Sequence, residues 1–101
     1  MESDYIYHVT TRQQWIEAQN LGHYDSDTLA TEGFIHCSTE PQVAGVLERY
    51  YQGKTDLIKL KIDKSKVERP LVFELAGSIS EVFPHIHGAL NLDAVVEVIE
   101  I

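Results

Sequence analysis

An α+β fold, a mainly antiparallel sheet with two main helices packed on it, is predicted from three observations. Apolar residues at helical spacing fall in the first half of the chain, segments that alternate at period two recur through the second, and turn residues separate them. The 101 residues, 44% of them hydrophobic, suffice for one domain over 1–101 with a single core, and no repeat, low-complexity tract or linker divides them.

Tyr5 to Thr10 alternates as a strand, with Ile6, His8 and Thr10 on one face. Thr11 and Gln14 form a candidate capping box for a helix that carries Trp15 and Ala18 and stops at Gly22. His23 to Glu32 has no clear period and reads as an irregular connection that folds over the site. Gly33 to Ser38 reads as a central strand, with Phe34, His36 and Ser38 on one face and Ile35 and Cys37 on the other. Thr39 and Gln42 then cap a second helix, with Pro41 in its first turn, Val43, Val46, Leu47 and Tyr50 on its apolar stripe and Gly53 at its end.

Asp56 to Asp63 is a strand with Ile58, Leu60 and Ile62 facing inward and Lys59 and Lys61 outward. Lys64 to Arg69 is a charged connection. Pro70 opens a strand in which Leu71, Phe73 and Leu75 oppose Val72 and Glu74. Gly77 and Ser78 turn the chain into a short strand, Ile79 to Val82, and Phe83 to Leu92, with Pro84 and Gly88, reads as a loop. Ala94 to Ile101 closes the chain as a strand rich in valine and isoleucine.

The net charge of −8, from 16 acidic and 8 basic residues, opposes an electrostatic nucleic-acid platform. Cys37 is the only cysteine, which excludes an intrachain disulfide and a multi-cysteine zinc site. Met1-Glu2-Ser3-Asp4 is acidic and no apolar run follows, so the expectation is a cytoplasmic protein without membrane contact. No oligomeric state is implied.

Two His-x-hydroxyl pairs, His8/Thr10 and His36/Ser38, each stand where a strand runs into a helix. If the strands are neighbours, the pairs converge at one edge of the sheet. The helix start at Thr39 and Gln42 would add backbone N–H groups suited to an anionic ligand. The bland alternative for each histidine is a half-buried ring satisfied by a backbone carbonyl. His85-x-His87 permits two metal ligands, with a third from His8, His36 or Glu74, but no local run supplies three, and the metal reading is the weaker. Glu74 and Glu81 become functional only if they face the same edge as His8 and His36. Cys37 points away from His36 and Ser38, as a buried structural thiol would.

Three runs together, Tyr5-Ile6-Tyr7-His8-Val9-Thr10, Gly33-Phe34-Ile35-His36-Cys37-Ser38 and Phe83-Pro84-His85-Ile86-His87-Gly88 with Leu90-Asn91, resemble the DUF952 family of small, mostly bacterial proteins. The resemblance covers essentially the whole chain. It implies a fold similar to the ADP-ribosyltransferases, a split antiparallel sheet whose cleft holds NAD. His8-Val9-Thr10 looks like the His-Gly-Thr of the tRNA 2′-phosphotransferases of that fold, and His36-Cys37-Ser38 like their His-x-Ser. By that similarity His8 holds the nicotinamide ribose, His36 and Ser38 shape the nicotinamide side, and Glu74 or His85 takes the third position. The expectation is an enzyme acting on NAD or an ADP-ribosyl compound. Its catalytic candidates are His8, His36, Glu74 and His85, and its ligand contacts Thr10, Ser38, Thr39, Gln42, His87 and Gly88. The alternative is a non-catalytic module that binds a nucleotide or small anion in the same cleft.

Overall fold

The computed structural model describes residues 4–76 and 79–101. Its clearest alternation is in strand β4 (Leu57–Asp63), where Ile58, Leu60 and Ile62 are fully buried and Lys59 and Lys61 take the other face. Each such apolar side chain contributes about 1.5–3 kcal/mol by leaving water. β1 (Tyr5–Thr11) pairs with β4 along its whole length, from Tyr5 opposite Asp63 to Thr11 opposite Leu57. On the outer face the Lys61 and Lys59 ammonium groups sit 4.4 and 5.2 Å from the ring centroids of Tyr5 and Tyr7, a diagonal cation–π ladder. β8 (Val95–Glu100) completes this sheet in the order β1-β4-β8.

A second sheet has the order β3-β6-β5, from β3 (Ile35–His36), β6 (Ile79–Ile86) and β5 (Leu71–Ala76). A two-stranded ribbon joins β2 (His23–Tyr24) to β7 (Leu90–Asn91). Every strand pairing among the described residues is antiparallel. The two larger sheets touch through one backbone bridge, in which Tyr7 and Ser38 exchange both hydrogen bonds at 2.7 Å. Beyond that pair β1 and β3 part.

Helix α1 (Arg12–Leu21) starts where Thr11 Oγ1 accepts the Gln14 N–H at 3.1 Å, and ends at Gly22 in the left-handed conformation. The short α2 (Asp27–Glu32) is capped by Ser26, and Gly33, at φ 86°, reverses the chain from α2 into β3. α3 (Val43–Tyr50) follows a 3-10 turn over Glu40–Gln42. Trp15, Ala18 and Leu29, from α1 and α2, pack on the main core of Ile6, Ile35, Cys37, Ile58, Leu60 and Ile86. α3 covers the opposite side, where Val43 and Leu47 pack with Tyr7, Val9 and Tyr51.

The mixed α+β class with antiparallel sheets is as expected, but four boundaries differ. The stretch read as irregular, 23–32, holds β2 and α2, because Ser26 caps a helix and Tyr24 buries its ring. The central strand is ladder-paired only over Ile35–His36. α3 stops at Tyr50, before Gly53. β6 runs on to Ile86, through the segment read as a loop at Phe83. Pro84 is tolerated there because its C=O and missing N–H both face β3, where the C=O accepts the Cys37 N–H at 2.9 Å. The only ladder bond forfeited is the return bond at the end of a short strand, so the β5 side stays intact. The turn expected at Gly77-Ser78 lies outside the described residues.

Candidate functional site

Where β1 and β3 part, the gap between them becomes a cavity of about 430 Å³, a volume in the range of small-molecule sites. His8, His36, Ser38 and Glu32 line it together with the rings of Tyr50, Tyr51 and Phe83. Directly paired residues share a face, so the Tyr7–Ser38 bridge puts Ser38 and His36 on the α3 side and His8 on the main-core side. The two histidines therefore meet from opposite faces rather than along one, and they meet only because the sheet is split here.

His8 closes the split. Its Nδ1–H donates to the His36 carbonyl, a role that a backbone N–H would play if the strands had stayed paired. Its Nε2 lies 2.7 Å from the Tyr24 hydroxyl, within the main-core packing. Burial pushes the His8 pKa down to about 4, against a smaller opposing effect of the His36 carbonyl, so the ring is neutral near pH 7. Tyr24 in turn donates to Thr10 Oγ1 at 2.9 Å and Thr10 to Gln14 Oε1 at 2.7 Å. In that order Tyr24 can only accept from His8 Nε2, which requires a doubly protonated ring. Turning the Gln14 amide over reverses every donor in the chain and delivers the Tyr24 proton to a neutral His8, the form that burial enforces. Burial also raises Tyr24 to about 12, so its proton stays available.

His36 is accessible. Its Nε2 sits 3.1 Å from Glu32 Oε2, and both side chains are close to half exposed. Glu32 stands at the C-terminal end of α2, where the helix dipole disfavours an anion, and no basic residue of the last turn offsets it. Its partner is the imidazole four residues on. Cys37, also on the lining, has its thiol pushed up by burial and stays protonated.

Glu74, His85 and His87 form a second cluster on the β3-β6-β5 sheet. Glu74 Oε1 meets His85 Nδ1 at 2.9 Å and His87 Nε2 at 2.8 Å, and these two bonds, His87 foremost, lower the Glu74 pKa. Phe34 stacks on His85 at 4.2 Å, and His36, opposite His85 in the ladder, lies edge-on to it at 4.9 Å. His85 is 1% exposed, and its Nε2 is buried without a hydrogen-bond partner.

Of the residues that the sequence singles out, His8, His36 and Ser38 line the cavity, and Thr10 lies two hydrogen bonds beneath it, through Tyr24 to His8. Glu74, His85 and His87 are joined to it only through the rings of Phe34 and His36, and none of them is part of the lining. Thr39 and Gln42 also lie off the lining. The Gln42 amide accepts the Thr39 N–H at 2.9 Å and donates to Glu81 and the Val82 carbonyl, so it ties the helix start to β6. A Cβ on Gly88, at φ 151°, would come within 2.6 Å of the Arg69 side chain. That glycine serves close packing. The sequence reading missed Glu32, Tyr24, Ser26, Thr28, Tyr50 and Tyr51. The one local signal was a carboxylate at the wrong end of a Ser-capped helix. Among the described residues no three His, Cys, Asp or Glu groups are placed to hold a metal, and no helix is long and apolar enough to cross a membrane.

The same fold occurs in CC0527 from Caulobacter crescentus. Its crystal structure superposes with a TM-score of 0.85 at 25% identity, covering 95% of this chain and 84% of that one. A double-methionine variant of CC0527 gives the same figures, and the solution NMR structure a TM-score of 0.80 with 83% of that chain covered. No curated protein matches the chain. The family model described as "Protein of unknown function (DUF952)" matches residues 9–98, which begin just after His8 and include the His36 junction and the His85 segment. The chain belongs to the DUF952 family.

Proposed function

We propose that the cavity takes the nicotinamide ribose of NAD, or the ribosyl end of an ADP-ribosyl compound, and that the protein cleaves the N-glycosidic bond there. The observation that carries this reading is the Glu32–His36 pair on the wall of a small-molecule-sized cavity with aromatic sides. Cleavage breaks the C–N bond and sends its electron pair to the nicotinamide nitrogen. The ribose carbon develops positive charge that the Glu32 carboxylate stabilises. Water then bonds to that carbon and loses a proton, which the Glu32–His36 pair accepts. Glu32 thus takes the part first considered for Glu74, whose carboxylate is engaged by two imidazoles away from the lining. The ADP-ribosyltransferase fold that the family resemblance implies would hold its ligand in a cleft at such a split, and the split between β1 and β3 supports the same reading.

A second reading, a non-catalytic nucleotide-binding module, is favoured by one observation. Both ring nitrogens of His8 are engaged by the protein itself, which leaves that ring no hydrogen bond for a ligand. One experiment separates the two. The protein is incubated with NAD, nicotinamide release is followed by chromatography, and amide shifts are followed by NMR. Release, slowed about 100-fold or more in Glu32→Gln, is expected of the enzyme. Shifts around His36 and Ser38 with NAD intact after hours mean the module. Neither shifts nor release removes both readings.

A further inference from the structure

Among the described residues, the side chains lining the cavity include no lysine or arginine, and the one carboxylate is Glu32. Three of the other titratable walls add no charge: burial holds His8 neutral and keeps the Cys37 thiol and the Tyr51 phenol protonated. His36 spends its Nε2 on Glu32. A second carboxylate, Asp27, acts on Tyr51 from α2. The remaining walls are the rings of Tyr50, Tyr51 and Phe83, whose faces attract cations. Two of these rings already do so, with Arg49 6.0 Å from the centroid of Tyr50 and Lys54 5.9 Å from that of Tyr51, both off the lining. An anionic group entering the cavity would meet a carboxylate and π faces, and no lysine or arginine among the described lining residues, whereas a flat cation would find both favourable.

We infer that the cavity selects a flat heteroaromatic cation of the N-alkylpyridinium class and rejects the corresponding anion, with Glu32 setting the sign of the selection. The inference deepens the proposed reading of this same cavity, whose ligand carries such a ring. It is tested with three probes of one ring, 1-methylnicotinamide, nicotinamide and nicotinate, which carry charges of +1, 0 and −1. Each is titrated by NMR into the wild type and into Glu32→Gln. The cation is expected to bind about tenfold more tightly than the neutral amide, in line with a desolvated cation–π and carboxylate contact, and nicotinate most weakly. In Glu32→Gln the ratio of cation to amide affinity should shrink several-fold, because the carboxylate's share is lost and the share of the ring faces remains. Nicotinate binding as well as the cation, a cation preference undiminished in Glu32→Gln, or no binding by any probe overturns the inference. The outcome is separable from that of the NAD assay. Nicotinamide release without a charge preference defeats this inference alone, and a charge preference without release defeats only the cleavage.

Discussion

Two histidines in this small domain are almost equally buried, yet their surroundings are opposite. His8 has one nitrogen on the His36 carbonyl and the other on Tyr24, and it spans the gap where two sheets separate. His85 has one nitrogen on Glu74 and the other facing no partner, in a layer of rings formed by Phe34 and His36. A saturated buried ring is part of the frame, because loss of either bond strands a buried group. A ring with spare capacity adds little to the frame, because it already carries an unmet desolvation cost. Position in a motif does not distinguish the two; the count of satisfied nitrogens does.

The largest effect that follows is on His8. His8→Ala removes two hydrogen bonds, strands the His36 carbonyl, leaves the Tyr24 hydroxyl with Thr10 alone, and opens a void at the split. A loss of about 3–5 kcal/mol is expected in denaturant unfolding, a large part of the stability of a domain this size. A loss below about 1 kcal/mol would show that the ring is not part of the frame.

The same histidine makes the fold sensitive to acid. Its folded pKa, about 4, lies below the ordinary 6.5, so the unfolded chain takes up the proton first. The stabilisation from keeping the ring neutral is therefore complete above about pH 6.5 and is lost as the pH falls toward 4, amounting to about 3 kcal/mol. Glu74, lowered by its two imidazoles, acts in the same direction over the carboxylate range. The check is a stability curve against pH, with the His8 ring resonances followed by NMR. A ring that titrates near pH 6.5 in the folded protein would remove this explanation of any acid lability.

How much of this the sequence discloses follows from where the information lies. Alternation in 57–63 and the caps at Thr11 and Gly22 are local properties of the chain, and those elements were legible. That β1 and β3 meet at one residue pair and then part is a long-range fact, so His8 and His36 could be paired on paper but not assigned to opposite faces. Pro84 argued for a loop because proline lacks a donor; only the strand order shows that the donor would have faced the end of β3. Tyr24 and Glu32 lay hidden in a polar stretch without a period, since a helix of six residues is too short to display one. Tyr50 was read as part of the helix stripe, and its place on the cavity depends on where α3 docks.

The smallest predicted effect is the one that tests the comparison most directly. His85→Phe deletes the bond to Glu74, but it also deletes the unpartnered Nε2, and it keeps a flat ring against Phe34 in a fully buried position. Removing a satisfied and an unsatisfied group together leaves opposing contributions, so stability should change by less than about 1 kcal/mol. The lowered Glu74 pKa should move only part of the way back to the ordinary carboxylate value, because His87, the larger of its two causes, still donates to it. Unfolding curves and a carboxyl NMR titration read the two quantities in one variant. A destabilisation as large as that of His8→Ala would mean that Nε2 is satisfied in solution, and the contrast between frame and spare capacity would then fail at its weaker member.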